Sequence, residues 1–447
     1  MHLSHGLTAS RLRAMAPTLP SGNRYFVGFS GGLDSTVLLA ALHEAQVGPL
    51  VAVHIHHGLQ AAADGWADRC RSVCERMGVA LEVQRVHVDV HAGDGPEAAA
   101  RRARYAAFAN VMQAGDCLAL AHHMDDQAET LLLNLLRGAG VRGLGAMNAL
   151  TTFARGWLWR PLLDFPRSAL RDWARERDLK WVEDPQNQEL RYRRVWLRRE
   201  LMPNLETVMP GVARRLARTA RVAREATVLL EDLAAIDLGE AARDGALDIP
   251  LLQKLGPARR HNLLRYWLDV RGFGLPPAAF LDRLDVEVLR ARADAEPSLR
   301  YGRCEMRRYR DGLYAMAPLV AVPEPASLRW EAGERLALPR GCGRLLAVSP
   351  PSQPLQVTVG SRGQRLRPAG RAHARTLKNL FQEAGVPPWQ RRRMPMLWLD
   401  GEPAWLPGVA RSAAWASWCR ANGWSASWEC PWRAKAVSGA TETAGGI

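Results

Sequence analysis

The chain has 447 residues, more than one hydrophobic core usually organises, so we predict several domains. A total of 60 Lys and Arg against 45 Asp and Glu gives a net charge of +15, which favours a polyanionic partner such as a nucleic acid. Seven cysteines without a C-x-x-C pair, and no apolar stretch of about 18 residues, argue against disulfide-rich secreted and membrane-spanning classes, so we predict a cytoplasmic protein without a membrane partner.

From residue 24 to about residue 120, apolar runs of strand length alternate with helical patterns. The runs read RYFVGF, LVAVHIHH, VALEVQRVHV and CLALAHH, and helical segments such as DSTVLLAALHEA separate them. This alternation predicts a parallel sheet with helices on both faces. Ligands of such sheets bind at the carboxyl ends of the strands, where Ser30, His56 and His122 fall. We therefore expect these three strand ends to line one crevice.

A glycine-rich turn joins the first strand to its helix. It consists of Ser30, Gly31, Gly32, Leu33, Asp34 and Ser35. Consecutive backbone N–H groups at the start of a helix form a nest for phosphate oxygens, and Asp34 is placed to cap the helix or to hold a magnesium ion that bridges phosphates. The turn lacks the lysine of a Walker A loop and the spacing of a dinucleotide fingerprint. It predicts a phosphate site of another kind, with an ordinary capped strand-to-helix turn as the alternative.

Acidic and imidazole side chains follow the fourth strand, in the stretch AHHMDDQAETLLLNLL. If a helix begins by His122, then His122, Asp126 and Glu129 share one of its faces. Each of them alone is typical of a solvated helix, but together at a strand end they predict a site. On the preceding helix, Arg101 and Arg104 lie on one side, where they either fix a phosphate or form a solvated charged face.

Prolines and composition divide the rest of the chain. Pro203 and Pro210 interrupt the first pattern, a helical region follows them, and short apolar segments with prolines begin after Met316. The predicted domains are residues 1–205 (the parallel-sheet catalytic domain), 206–320 (helical), 321–354 (connector), 355–432 (small α+β domain) and 433–447 (disordered tail).

Two segments are strongly basic. Residues 191–224 carry a net charge of +8, and so do residues 360–393. In the first segment, Arg214, Arg218 and Arg221 share a helix face, which suits a track of phosphates. Such contacts would position an RNA without reading its sequence. A solvated surface is the alternative for each segment.

Taken in order, the motifs SGGLDS, HIHHGL, PEAAARRARY, HHMDDQAET, WRPLLDF and WVEDPQNQE resemble those of the tRNA(Ile)-lysidine synthetase family, which is one of the PP-loop N-type ATP pyrophosphatases. The resemblance covers roughly residues 20 to 432 in three blocks. It implies a parallel-sheet, Rossmann-like PP-loop ATPase domain, a helical domain and a small α+β C-terminal domain that binds tRNA.

The resemblance also implies an activity. Family members use ATP and Mg²⁺ to adenylate the C2 carbonyl oxygen of the wobble cytidine in the CAU anticodon of tRNA(Ile), which releases pyrophosphate. Free L-lysine then attacks C2, expels AMP and leaves lysidine. This chain would accordingly be a ligase that forms a carbon–nitrogen bond, with ATP, lysine and tRNA(Ile) as its substrates.

By the same resemblance, residues of this chain take named roles. The expected ATP-binding residues are Ser30, Gly31, Gly32, Leu33, Asp34, Ser35 and His56, with Asp34 near Mg²⁺. The expected catalytic residues are Asp34, Arg101, Asp126 and Glu129. The expected lysine side consists of His122, Asp126, Glu129 and Arg104. The expected tRNA-binding residues are Arg194, Arg198, Arg214, Arg218, Arg221, Arg365 and Lys378. In one place the chain departs from the family, because Val195 stands where an asparagine is expected.

Three other functions compete with this interpretation. A PP-loop sulfur transferase that thiolates tRNA usually needs a cysteine pair, and the chain has no C-x-x-C. A PP-loop amidotransferase or synthetase acting on small metabolites would leave both basic segments unexplained. A non-catalytic RNA-binding protein would have no need for intact SGGLDS and HHMDDQAET motifs. The oligomeric state is not predicted.

Overall fold

In a computed structural model, the described residues are 6–56, 63–87, 96–183, 193–243, 245–292, 295–321, 325–360 and 363–430. The chain divides into two compact units, Met1–Leu229 and Leu230–Ile447. The predicted disordered tail, 433–447, lies outside the described residues. The bounds of the five segments drawn from the sequence stay predictions.

The first unit begins with alternating helices and strands. In chain order they are α1 (Ala9–Met15), β1 (Tyr25–Gly28), α2 (Leu33–Ala45), β2 (Leu50–His56), α3 (Ala63–Met77), β3 (Ala80–Arg85), α4 (Pro96–Val111), β4 (Cys117–Ala119), α5 (Met124–Leu136), α6 (Val141–Leu144), β5 (Leu150–Phe153), β6 (Gly156–Trp159) and α7 (Arg167–Glu176). After them come α8 (Arg193–Trp196), a π-helical turn (Leu197–Leu201), α9 (Met202–Val208) and the long α10 (Val212–Ala241), which continues into the second unit from Leu230.

The strands of the first unit form one six-stranded sheet in the order β3-β2-β1-β4-β6-β5. All neighbours are parallel except the β5–β6 pair. The chain runs outward from β1 to β2 and β3, and then returns to place β4 on the other side of β1. The ends of β1 and β4 are therefore a topological switch point, where ligands of open α/β sheets bind. The predicted parallel-sheet fold is confirmed.

Helices cover both faces of this sheet, as alternation along β1 requires. Tyr25 and Val27 pack into the core that α1, α2, α3 and α7 form on one face. Phe26 points to the opposite face, where it packs with Phe108 of α4 and with Met112, the residue after that helix. With both faces buried, the open edges of the sheet and its strand ends remain for function.

The second unit contains shorter elements. In chain order they are β7 (Ala242–Arg243), β8 (Ala246–Asp248), α11 (Ile249–Lys254), α12 (Pro257–Val270), α13 (Ala278–Leu284), a π-helical turn (Asp285–Leu289), β9 (Ser298–Tyr301), β10 (Cys304–Tyr309), β11 (Gly312–Met316), β12 (Ala326–Trp330), β13 (Arg335–Ala337), β14 (Arg344–Ala347) and β15 (Leu355–Val359). They continue with β16 (Arg365–Leu366), β17 (Arg375–Thr376), α14 (Leu377–Glu383), α15 (Pro388–Arg391), β18 (Pro395–Leu399), β19 (Glu402–Leu406), β20 (Ala410–Arg411), α16 (Ala413–Ala421) and β21 (Ala426–Glu429).

Antiparallel sheets dominate the second unit. The helical region predicted from the sequence is present, but it also carries a five-stranded sheet, β7-β8-β11-β10-β9, that the sequence analysis missed. The remaining strands form the sheets β12-β15-β18-β19-β20, β13-β14-β21 and β16-β17. Strands β12, β13 and β14 come from the segment predicted as a connector. Within the described part of the chain, no helix is both long and apolar enough to cross a membrane.

Candidate functional site

The glycine-rich turn after β1 is tightly curled around its two serine hydroxyls. The backbone N–H of Ser30 donates to Ser35 Oγ at 3.2 Å, and Ser35 Oγ donates to Gly32 O at 3.0 Å. Gly31 has φ +78°, and a Cβ there would lie 3.1 Å from Cys70 Sγ. Position 31 therefore requires glycine both for its backbone angle and for its close contact with α3. The side chain of Leu33 packs into the core below the turn.

Asp34, in the first turn of α2, connects this turn to two other elements. Its Oδ1 accepts from Arg167 Nε at 3.2 Å, at the start of α7. Its Oδ2 lies 3.8 Å from His123 Nε2, at the end of the loop after β4. The carboxylate is about one-quarter exposed. Asp34 thus faces the crevice between β1 and β4 with cationic neighbours on two sides.

The described residues contain no group of three or more His, Cys, Asp or Glu side chains arranged to hold a metal ion. Magnesium needs no such group, because it is usually bound by one or two carboxylates together with phosphate oxygens and water. A single partly exposed carboxylate beside a phosphate-binding turn fits that mode. Asp34 is the residue that would supply it.

Helix α5 begins directly after β4 because its first turn is capped locally. Asp126 Oδ2 accepts from the backbone N–H of His123 at 3.1 Å. Asp125 Oδ2 accepts from the backbone N–H of Arg167 at 2.9 Å, which fixes the start of α7 beside α5. The HHMDD stretch therefore sets both the start of the helix and its position at the end of β4.

Two carboxylates of α5 and two arginines form one ion-pair network, which we call the carboxylate–arginine cluster: Asp126, Glu129, Arg194 and Arg198. Glu129 accepts from Arg194 Nε at 2.9 Å and from Arg198 Nε at 2.7 Å. Asp126 Oδ1 accepts from Arg198 Nη2 at 3.0 Å. Both carboxylates are buried, and Glu129 is only 1% exposed. The two arginines predicted to bind tRNA thus neutralise the two acids predicted to bind lysine.

Burial and neighbouring charges shift three pKa values in this site. Burial alone would raise the pKa of Asp126, but His123, Arg194 and Arg198 outweigh it and lower the pKa to about 2. Burial lowers the pKa of His122 to about 3, and nearby arginines act in the same direction. Burial would also lower the pKa of His123, but the surrounding carboxylates, Asp126 first, raise it. At pH 7, Asp126 is ionised and His122 is neutral.

The other predicted residues lie at varied distances from this centre. His56 ends β2 and is buried. On α4, the Arg101 guanidinium donates to Tyr105 Oη at 3.1 Å and lies over its ring. The arginines predicted to form a phosphate track are exposed on α10: Arg214, Arg218 and Arg221, the last of which forms a surface ion pair with exposed Glu225 at 2.9 Å. In the second unit, Lys378 is exposed on α14, and exposed Arg365 on β16 donates to the Ala374 carbonyl at 3.0 Å.

Sequence reasoning missed two residues near these strand ends. Arg167 contacts Asp34, and Arg160 is buried at the end of β6. Arg160 lies in the motif WRPLLDF, which contributes to the family resemblance. Its position directly after an apolar strand was a usable signal, because that is where the other site residues lie. Nothing in the sequence marks Arg167.

Comparison with known proteins covers most of the chain. A family profile described as a PP-loop domain matches residues 7–205. Profiles described as the TilS substrate binding domain and the TilS substrate C-terminal domain match residues 247–314 and 355–428.

Curated relatives with one shared name match along nearly their whole length. A tRNA(Ile)-lysidine synthase from Alkalilimnicola ehrlichii is 44% identical over 407 residues, which is 88% of this chain and 91% of the relative. Its counterpart from Methylococcus capsulatus is 41% identical, with 87% and 92% covered. The one from Coxiella burnetii is 38% identical, with 88% and 90% covered. Identity at this level over both chains shows that this chain belongs to the tRNA(Ile)-lysidine synthase family.

Proposed function

We propose that this protein uses ATP to ligate lysine to C2 of the wobble cytidine in the CAU anticodon of tRNA(Ile), forming lysidine through an adenylated cytidine. The observation that carries the proposal is the juxtaposition at the ends of β1 and β4. There a tightly curled glycine turn and the carboxylate–arginine cluster, whose two carboxylates are buried, lie together in the PP-loop domain of a chain from this family.

The first step is adenylation, and the turn after β1 suits it. The cytidine O2 attacks the α-phosphorus of ATP, and the bond to the β-phosphate oxygen breaks, so pyrophosphate leaves. Backbone N–H groups at the start of α2, with the hydroxyls of Ser30 and Ser35, would hold the departing phosphates. A magnesium ion bound by Asp34 would neutralise phosphate charge. His56 ends β2 on the opposite side of β1 from β4 and would face the nucleotide there.

The second step is lysine transfer, and the carboxylate–arginine cluster would serve it. The ε-ammonium of lysine loses a proton to solvent, the free amine attacks C2, and the C2–O bond breaks as AMP leaves. Asp126, with a pKa of about 2, is too weak a base to accept that proton efficiently at pH 7. Arg194 and Arg198 already offset the charge of Asp126 and Glu129, so the role of the two carboxylates would be to orient the ammonium by accepting its hydrogen bonds. His122 and Arg104 would line the same side, and Arg101 would face developing charge.

Two exposed basic surfaces would bind the tRNA backbone. One is the α10 face formed by Arg214, Arg218 and Arg221, and the other includes Arg365 and Lys378 in the second unit. Arginine and lysine contacts with phosphates release counterions and give salt-dependent affinity without reading sequence. Arg194 and Arg198 are paired with carboxylates, so we assign them to the cluster. Any effect that they have on the tRNA would act through the cluster.

Nucleoside mass spectrometry tests the proposed reaction directly. The purified full chain is incubated with ATP, Mg²⁺, L-lysine and a CAU-anticodon tRNA(Ile) transcript, and the digested nucleosides are analysed. We expect a cytidine that gains the mass of lysine minus water, together with one AMP and one pyrophosphate per product. Omission of lysine is the control. The proposal would be refuted if the cytidine kept its mass after incubation with all four components.

A further inference from the structure

Arg160 lies at the same edge of the sheet as the proposed reaction site. It follows Trp159, the last residue of β6, which is paired in register with Ala119 at the end of β4. The backbone N–H of Leu120 donates to Trp159 O at 2.9 Å, so the two chains still run side by side as they leave the sheet. His122 lies two residues after Leu120 along the chain. Arg160 and His122 therefore emerge from neighbouring strands into one crevice.

The surroundings of Arg160 are unusual for a buried cation. The residue is only 8% exposed, and its Nη1 donates to Asn148 O at 2.8 Å. Its buried Nε has no hydrogen-bond partner among the described residues, and no described carboxylate forms an ion pair with it. The Tyr105 hydroxyl is a further polar neighbour, and Arg101 donates to it as well. The guanidinium is thus buried among neutral and positive groups.

Such a cation is costly to bury unless an anion completes its environment. Charged groups inside proteins are normally paired, and an unpaired one destabilises the fold. Here burial lowers the pKa of Arg160, which is the expected sign of a missing counter-charge. His122 adds a second open group, because its buried Nδ1 also has no partner among the described residues. Both groups can serve an anion in this crevice.

We propose that Arg160 binds the α-carboxylate of the lysine substrate. The inference rests on the proposed function and extends it to the other end of the amino acid. On this side of β1, the arginines of the carboxylate–arginine cluster are already neutralised by Asp126 and Glu129, so they are poor carboxylate receptors. The planar guanidinium of Arg160 matches a carboxylate in shape and charge. Lysine would lie with its ε-ammonium toward the carboxylate–arginine cluster and its α-carboxylate toward β6.

A comparison of two nucleophiles with two enzymes isolates this contact. Lysine and cadaverine share the reacting amine, but cadaverine has no carboxylate. We measure kcat/KM for both with wild type and with Arg160→Met, using tRNA(Ile) and saturating ATP. Wild type should prefer lysine by about 10- to 100-fold, the range of a charge-assisted hydrogen-bonded pair. Arg160→Met should lose most of that preference through a higher KM for lysine, with cadaverine nearly unchanged.

Control variants separate binding from structure. Arg155→Met removes an exposed arginine at the β5–β6 turn and should change neither nucleophile. Arg160→Lys keeps the charge without the planar fork and should restore part of the preference for lysine. If Arg160→Met fails to fold in thermal unfolding, wild type with lysinamide, which lacks the negative charge, provides the same comparison, and an efficient reaction with it would overturn the inference.

Each outcome decides between the inference and its rivals. Equal losses for lysine and cadaverine would show a structural role, and a raised KM for ATP with unchanged lysine preference would show a phosphate role; both overturn the inference. Equal use of lysine and cadaverine by wild type also overturns it. Absence of lysidine from wild type with lysine would instead refute the proposed function, so the two failures are distinguishable.

Discussion

Replacement of Asp126 by asparagine removes one charge from the carboxylate–arginine cluster with little change in shape. In the structure the carboxylate accepts from Arg198 Nη2 at 3.0 Å and from the backbone N–H of His123 at 3.1 Å. Burial opposes ionisation of this carboxylate, but the side chains of His123, Arg194 and Arg198 outweigh it and lower the pKa from 3.8 to about 2. That difference corresponds to about 2 kcal/mol in favour of the ionised state. We therefore expect Asp126→Asn to reduce the free energy of unfolding at pH 7 by about 2 kcal/mol.

The same substitution should separate catalysis from tRNA binding. We expect lysidine formation to fall by about 100-fold or more, since positioned charged groups at reacting centres contribute factors of this size. The Kd for tRNA should stay within about twofold, because the exposed arginines that would contact phosphates are unchanged. Urea unfolding, quantitative nucleoside analysis and filter binding measure the three quantities.

The control for Asp126→Asn is Asp172→Asn, which changes an exposed acid on α7 that forms no ion pair with the described residues. The stability component should also depend on pH. Because the folded pKa of Asp126 is depressed, its stabilisation is present above the unfolded value of about 4 and is lost as pH falls toward about 2. The assignment of Asp126 to the lysine side would be refuted if Asp126→Asn formed lysidine at the wild-type rate. It would also be refuted if the variant lost tRNA affinity to the same extent as lysidine formation.

Three further changes test other parts of the structure. Gly31→Ala should raise the KM for ATP by about 10-fold or more through backbone strain and contact with α3, whereas Gly22→Ala, which also has a positive φ but open space, should lower only the melting temperature. The α10 face comprises Arg214, Arg218 and Arg221, and neutralising these arginines should weaken tRNA binding. The slope of log affinity for tRNA against log salt concentration should also fall by about one for each phosphate that the protein no longer binds. Arg175→Gln, an exposed change on α7, should alter neither quantity. The folded pKa of His123 is raised, so the stabilisation by its charged form is full below about pH 6.5 and is lost as pH rises through the folded pKa. His123→Gln should remove this pH-dependent part of the free energy of unfolding, measured by urea unfolding between about pH 5 and about pH 9.

The catalytic fold could be predicted because each of its signals is local. Strand-length apolar runs alternate with helical patterns, and the handedness of such units leaves few arrangements. The turn from Ser30 to Ser35 and the acids of α5 each follow a strand, so parallel pairing alone brings them to one edge. The family resemblance rests on the same motifs and is confirmed. The roles assigned to individual site residues stay predictions that the variants above examine.

The pairing within the cluster could not be predicted, because it depends on which helix faces meet. Spacing places Asp126 and Glu129 on one face of α5, and it equally places Arg194 and Arg198 one turn apart. Some 65 residues separate Glu129 from Arg194, and periodicity carries no information about contacts at that distance. The five-stranded sheet of the second unit was not predicted for a related reason. Its strands are short, and β7 and β8 have only 2 and 3 residues, too few to show a strand periodicity.

Charge counted along a sequence therefore overstates the charge offered to a partner. The basic segment that begins at residue 191 contributes Arg194 and Arg198 to two buried carboxylates, and Arg224 to the carbonyl oxygens of Gly145 and Met147. Only arginines whose guanidinium groups stay at the surface can release counterions from an RNA. A paired arginine acts locally instead, as the half-buried Arg194 and Arg198 do with the carboxylates of the cluster and, by our inference, as the buried Arg160 does with a substrate carboxylate at the end of β6. The net charge of +15 favours nucleic acid as the partner, but the pairing of each arginine decides which ones meet it.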